Sequence, residues 1–166
     1  PEQVKQRGAE IYRDCEKRKM LSGRKVTVFS AACLYASCRE NGMSKTLTEF
    51  ADTSFSKKHD LGAYYRAIVQ ELDVRPKVMS PVSYLSRIAT NVMPPLSVAV
   101  QMQAMEILES YEDKAGKDPV GLAAAALYYV AKLKNLKHSQ RVICMAAGIT
   151  EVTIRNRVDD LRMSNQ

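Results

Sequence analysis

Val152, Arg155 and Asn156 are the residues of this chain best suited to contact chemistry, because of where SQRVICMAAGITEVTIRNRVDDL (Ser139–Leu161) puts them. The stretch has helix-turn-helix spacing. Gly148 can take the left-handed conformation that ends a first helix, Ile149 can plug the corner, and Cys144 supplies a small residue four positions before the glycine. Ile154, Val158 and Leu161 then recur at i, i+4 and i+7 and face a core, while Val152, Arg155, Asn156 and Asp159 fall on the other side. Thr150 is the cap of the second helix, whose N-terminus favours a phosphate. In a DNA major groove, Arg155 can make a bidentate contact with guanine and Val152 can pack on a thymine methyl. Thr153 joins this set, and Arg141 and Arg157 are placed for backbone phosphate. A second reading stays open: a helix-Gly-helix corner of a bundle whose Arg155 and Asn156 face water.

Bond-making chemistry has little to stand on. His59 and His138 lack a partner at metal-ligand spacing and read as surface residues or caps. Cys15, Cys33, Cys38 and Cys144 show no CxxC pair, and three of them lie in apolar helical patterns, as reduced buried thiols of an intracellular protein do. There is no GxGxxG, Walker loop or HExxH, and Asp159-Asp160 are neighbours rather than a separated acid and base. Tyr12, Tyr35, Tyr64, Tyr65, Tyr128 and Tyr129 sit in helical patterns as core or inter-helix residues. No enzymatic activity, metal or cofactor is expected. Charge points elsewhere: 25 Lys/Arg against 18 Asp/Glu leave a net +7, which suits a polyanionic partner. Residues 132–162 alone hold seven Lys/Arg against three Asp/Glu. A second basic point lies in ADTSFSKKHDLGAYYR, where Lys57 and Lys58 open a helix without a glycine at the corner before it. It reads either as a phosphate- or acid-binding surface or as solvated lysines. No run is long enough for an apolar membrane span, and nothing reads as a secretion signal.

The elements that position these residues come as a repeat. AACLY (Ala31–Tyr35) and AAALY (Ala124–Tyr128) align at an offset of 93 residues, and Gly23 with Gly116 and Leu61 with Ile154 share it. Punctuation by Gly and Pro predicts helices near 3–20, 26–40, 46–53, 57–72, 81–92, 96–114, 120–134, 139–147 and 151–162, an all-α chain. Ser56-Lys57-Lys58 and Thr150-Glu151-Val152 read as N-cap stretches. Ala123–Ala126, apolar nearly all round with Leu127 to Tyr129, suits a central helix approached by several others, and Ser30–Cys33 repeats the device. Two repeats follow, 1–75 and 81–166, joined by 76–80. The second carries an extra helix before Pro94-Pro95 whose counterpart the first lacks, since Pro1 aligns with Pro94. The chain is therefore expected to be a fragment, with an apolar groove open between its first helix and the Ala-rich one.

Together GRKVTVFSAACLYASCRENG, TLTEFAD, SKKHDLGAYYRAI, GKDPVGLAAAALYYVA and AGITEVTIRNR resemble the core of archaeal transcription factor B and eukaryotic transcription factor IIB, the archaeal members more closely. The resemblance implies two cyclin-like repeats of five helices that clasp TATA-binding protein on a bent promoter. It implies that the second repeat's helix-turn-helix, through Val152 and Arg155, reads an element just upstream of the TATA box and sets the polarity of the complex. Arg24 and Lys25 are then placed near DNA downstream of the box, and Lys57 and Lys58 toward the acidic stirrup region of TATA-binding protein. The resemblance also implies RNA polymerase as a partner of the full-length protein, through an N-terminal zinc ribbon and reader/finger that are expected to be missing from this fragment. The expected location is the archaeal nucleoid, or the nucleus of a eukaryote, with no membrane. Val158 stands where the family has an aromatic, and residues 107–116 are shorter than the family connection. Two other functions share this outline: a cyclin-type module that regulates a kinase, and a stand-alone helix-turn-helix regulator.

Overall fold

The computed structural model describes residues 1–164. Among them it has nine α-helices and no strand: α1 (Glu2–Lys17), α2 (Val26–Glu40), α3 (Leu47–Thr53), α4 (Lys58–Glu71), α5 (Val82–Asn91), α6 (Val98–Ser110), α7 (Pro119–Leu133), α8 (Gln140–Ala147) and α9 (Glu151–Ser164). They form two compact units, Pro1–Val78 and a second that begins at Met79. Asn165 and Gln166, the end of the second repeat read from the sequence, lie outside the described residues. The offset of 93 holds for whole elements, since α2 and α4 coincide with α7 and α9 at both ends.

In the second unit the centre is α7. Leu122 through Leu127 are fully buried, and α5, α6, α8 and α9 all pack on this helix. The alanine run permits this, because a methyl side chain holds neighbouring backbones apart far less than a leucine does. Asp118 caps the helix, its Oδ2 accepting from the Gly121 N–H at 2.9 Å, with Pro119 at the first helical position, where no N–H is needed. Tyr84, Leu85, Ile88, Ala89 and Val92 carry α5 into the same core.

The first unit is organised around α2, against which α1, α3 and α4 pack. Val4, Gly8, Ile11 and Cys15 form the inner stripe of α1, and the buried Ser37 hydroxyl donates to the Val4 carbonyl at 2.8 Å. Thr46 and Glu49 close a capping box on α3: Glu49 N–H donates to Thr46 Oγ1 at 3.2 Å and Thr46 N–H to Glu49 Oε2 at 2.8 Å. No helix of this unit takes the place that α5 takes in the other. Gly8, Ala9, Tyr12 and Leu34 instead line an open apolar groove between α1 and α2. All four cysteines are free and buried.

Four sequence expectations give way. The sixth helix stops at Ser110 rather than 114, because Tyr111 turns extended (ψ 114°) and is buried. The first ends at Lys17 rather than 20, where Lys19 takes a left-handed φ of 58°. Ser56 caps nothing: its hydroxyl bonds the Ser54 carbonyl at 3.2 Å, and α4 starts from Lys57 without a side-chain cap. His138 is buried rather than on the surface, with Nε2 2.8 Å from the Pro94 carbonyl oxygen.

Candidate nucleic-acid interface

The corner between α8 and α9 is built by backbone conformation. Ser139 opens α8 by accepting from the Val142 N–H at 3.3 Å. Gly148 ends it at φ 70°, ψ 33°, a region where a β-carbon is strained. The Gly148 and Ile149 N–H groups then close on the Met145 and Cys144 carbonyls at 3.3 and 3.1 Å, and Ile149 packs on the core below. Thr150 starts the second helix, with Oγ1 accepting from the Thr153 N–H at 3.3 Å and lying 2.9 Å from Thr153 Oγ1.

From this start α9 presents two faces. Ile154, Val158 and Leu161 are buried. Val152 is 59% exposed, and Arg155, Asn156 and Asp159 are exposed beside it, with Met145 and Arg141 exposed on α8. Asp159 pairs with Arg162 at 4.0 Å, and Arg155 has no ion pair among the described residues, so its guanidinium is available. An uncommitted arginine next to an apolar residue on one exposed turn has the donors for a guanine edge and the surface for a thymine methyl.

The flank of α9 that meets α7 is tightly held. A β-carbon on Gly121 would lie 3.0 Å from Thr153 Cγ2 and 3.5 Å from Arg157 Cγ, so the two helices meet at near-backbone distance. Arg157 turns away from the outer face: Nη1 is 3.0 Å from Asp160 Oδ2, and its side chain is only 24% exposed. Asp160 also lies 3.6 Å from Lys117 Nζ, which reaches Asp113 at 2.6 Å, donates to the Tyr111 hydroxyl and sits 4.9 Å from the centre of that ring. These partners, Asp113 first and then Tyr111, hold the Lys117 ammonium above its ordinary pKa. The network ties the connection between α6 and α7 to the inner flank of α9.

In the first unit, Arg24 packs its guanidinium over Phe29 and Tyr64, 5.5 and 5.4 Å from the ring centres. Lys25 is exposed at the start of α2. Lys57 and Lys58 are exposed at the start of α4, without an ion pair among the described residues.

A family model described as "Transcription factor TFIIB repeat" matches residues 1–71 and again 75–163, α1 to α4 and then α5 to α9. The chain belongs to the TFIIB-repeat family. It is a transcription-factor family and not an enzyme family. The chain is 38% identical over 164 residues to transcription initiation factor IIB of Sulfurisphaera tokodaii, covering 97% of this chain and 53% of that protein. Against the factor of the same name from Archaeoglobus fulgidus it is again 38% identical over 164 residues, covering 97% and 50%. Against transcription initiation factor IIB 1 of Thermococcus kodakarensis it is 36% identical over 166 residues, covering 97% and 55%. The chain thus spans about half the length of these curated relatives.

Among the described residues of the two TFIIB repeats, no helix is long and apolar enough to cross a membrane. The second repeat brings Thr150, Val152, Thr153, Arg155 and Asn156 together on the first turns of α9. Arg24, Lys25, Lys57 and Lys58 belong to the first repeat. Sequence reasoning missed Gly121, Lys117 and Asp160. Gly121 alone left a signal, as a glycine beside the alanine run of α7, a position where it costs helix stability unless a neighbour needs the space.

Proposed function

We propose that this chain is the core of a general transcription initiation factor that binds TATA-binding protein on promoter DNA. In this reading α9 enters the major groove just upstream of the TATA box and gives the complex its polarity. Arg155 reads a guanine, Val152 packs on a thymine methyl, Asn156 and Thr153 flank them, and Arg141 and the α9 N-terminus at Thr150 meet phosphate. Arg157 acts from the inner flank of α9, paired with Asp160 beside Lys117. Lys25 supplies a phosphate contact on the first repeat beside a packed Arg24, and Lys57 and Lys58 face TATA-binding protein. RNA polymerase is a partner of the full-length protein, and the setting is an archaeal cell's promoter DNA.

The observation that supports this reading best is the exposed turn of α9 with an unpaired Arg155 beside Val152, over a face closed by Ile154, Val158 and Leu161. One exposed helix with a few phosphate contacts binds straight duplex weakly, so affinity depends on TATA-binding protein having bent the site. The test is Arg155→Ala on promoters with intact and scrambled upstream flanks, TATA-binding protein present in both. Losing a bidentate guanine contact costs about 1–3 kcal/mol on the intact flank. An equal small loss on both promoters makes Arg155 a backbone contact. Equal wild-type affinity with and without TATA-binding protein refutes the ternary complex.

A further inference from the structure

The corner between α3 and α4 repeats the corner between α8 and α9 with different residues. Phe55 stands where Gly148 stands, 93 positions earlier. Its φ is +50°, and the hydrogen bonds correspond: Phe55 N–H to the Asp52 carbonyl at 3.3 Å and Ser56 N–H to the Ala51 carbonyl at 2.9 Å. Only the side chain breaks the pattern. A phenylalanine in the left-handed region is strained, and this one gains nothing inside the unit, because its ring is 100% exposed. Ser56 replaces the Ile149 that packs beneath the other corner.

The next two residues add a second local cost. Lys57 and Lys58 occupy the N-cap and first helical position of α4, where the helix dipole already favours negative charge and no side chain caps the turn. Thr150 and Glu151 hold those places in the other repeat, with the favoured chemistry. A strained, solvated ring followed by two unpaired cations opposing a dipole serves no purpose within the fold. An aromatic centre with a charged rim is the composition of a binding hot spot.

We propose that Phe55 is the apolar anchor of a protein-docking tip, its ring entering a pocket on an acidic partner surface while Lys57 and Lys58 pair with carboxylates at the rim. Charge complementarity sets the partner's sign, and the solvated ring sets its class: an aromatic anchor needs an apolar pocket, which a protein surface offers and continuous duplex phosphate does not. The proposal rests on the reading above, in which that partner surface belongs to TATA-binding protein.

The experiment compares the wild-type chain with Phe55→Gly, Phe55→Leu and Lys57→Ala/Lys58→Ala. Each is measured for melting temperature, for affinity to preformed TATA-binding protein–promoter complex, and for affinity to the same duplex alone. Phe55→Gly should melt at the same or a higher temperature, since glycine suits the backbone, yet bind the complex at least tenfold more weakly. Phe55→Leu should keep most of the affinity, and the lysine variant should lose affinity together with part of its salt dependence. Duplex-only binding should be unchanged by Phe55→Gly. Unchanged complex affinity in Phe55→Gly, with the wild type binding, overturns the anchor alone. An equal loss on duplex alone makes the tip a DNA contact and also overturns it. A wild-type chain that ignores the complex overturns this proposal and the function on which it rests.

Discussion

Replacing Gly121 by alanine sets two local effects against each other, and their sum measures how closely α7 holds α9. Alanine inside a helix is better than glycine by about 0.5–1 kcal/mol. Against that gain, its β-carbon would stand 3.0 Å from Thr153 Cγ2, 3.4 Å from Asp118 Oδ2 and 3.5 Å from Arg157 Cγ. Carbon atoms settle at about 3.5–4.0 Å, so the Thr153 methyl must retreat by at least roughly half an ångström. It cannot swing freely, because Thr153 Oγ1 and the Thr153 N–H are both engaged by Thr150 Oγ1, at 2.9 and 3.3 Å. Overpacking of this kind costs about 1–3 kcal/mol, which leaves Gly121→Ala destabilising by up to about 2.5 kcal/mol, with about 1 kcal/mol the central expectation. Thr153→Ser removes the methyl and keeps the hydroxyl. In that background the same alanine should stabilise by about 0.5–1 kcal/mol. Urea unfolding of the wild type, both single variants and the double variant gives the coupling directly, expected at about 1–3 kcal/mol. Additive effects would refute the close approach. A shifted α9 should also carry Val152 and Arg155 out of place, so Gly121→Ala should lose preference for the upstream flank and regain it in the double variant.

Two further outcomes follow from buried and paired charges. Burial pushes the ionisation of Cys15, Cys33, Cys38 and Cys144 above the ordinary thiol range, so the folded chain keeps protons that the unfolded chain releases. Their contribution to stability is whole below about pH 8.5 and falls above it, by at most about 1.4 kcal/mol per thiol per pH unit and only until that thiol ionises in the folded chain; urea midpoints above about pH 8.5 should drop, and less steeply in Cys33→Ala. Arg7 holds Glu40 through Nε at 2.7 Å and Nη2 at 3.2 Å, fastening α1 to the end of α2 at a partly exposed site. Arg7→Gln should cost about 0.5–1 kcal/mol in low salt and less in high salt, and a cost indifferent to salt would mean that the pair is not what stabilises that junction.

What could be read from the sequence was what is local or repeated. The alanine run of α7 and the glycine at 148 announce themselves, because central packing and a left-handed turn each demand one residue type. The two faces of α9 followed from spacing alone. The end of α6 did not, since Glu112, Lys114 and Ala115 are good helix formers, and the chain turns away where Tyr111 goes extended and is buried. His138 and Pro94 lie 44 residues apart, and no periodicity connects them. Arg157 was assigned to phosphate from its charge, but Asp160, one turn on, competes for it at 3.0 Å. Phe55 is the instructive case. Its alignment with Gly148 was available, yet a phenylalanine does not advertise a positive φ.

The burial of α7 has a consequence in time. With α5, α6, α8 and α9 all packed on it, the amide hydrogens of its middle, from Leu122 to Leu127, reach solvent only when much of the second unit opens. α9 keeps Val152, Arg155 and Asn156 in water and can loosen its first turn through small local openings. Deuterium should enter the start of α9 early and the middle of α7 last. The exposed face of α9 can thus breathe quickly while the frame behind it keeps the slow clock of global unfolding.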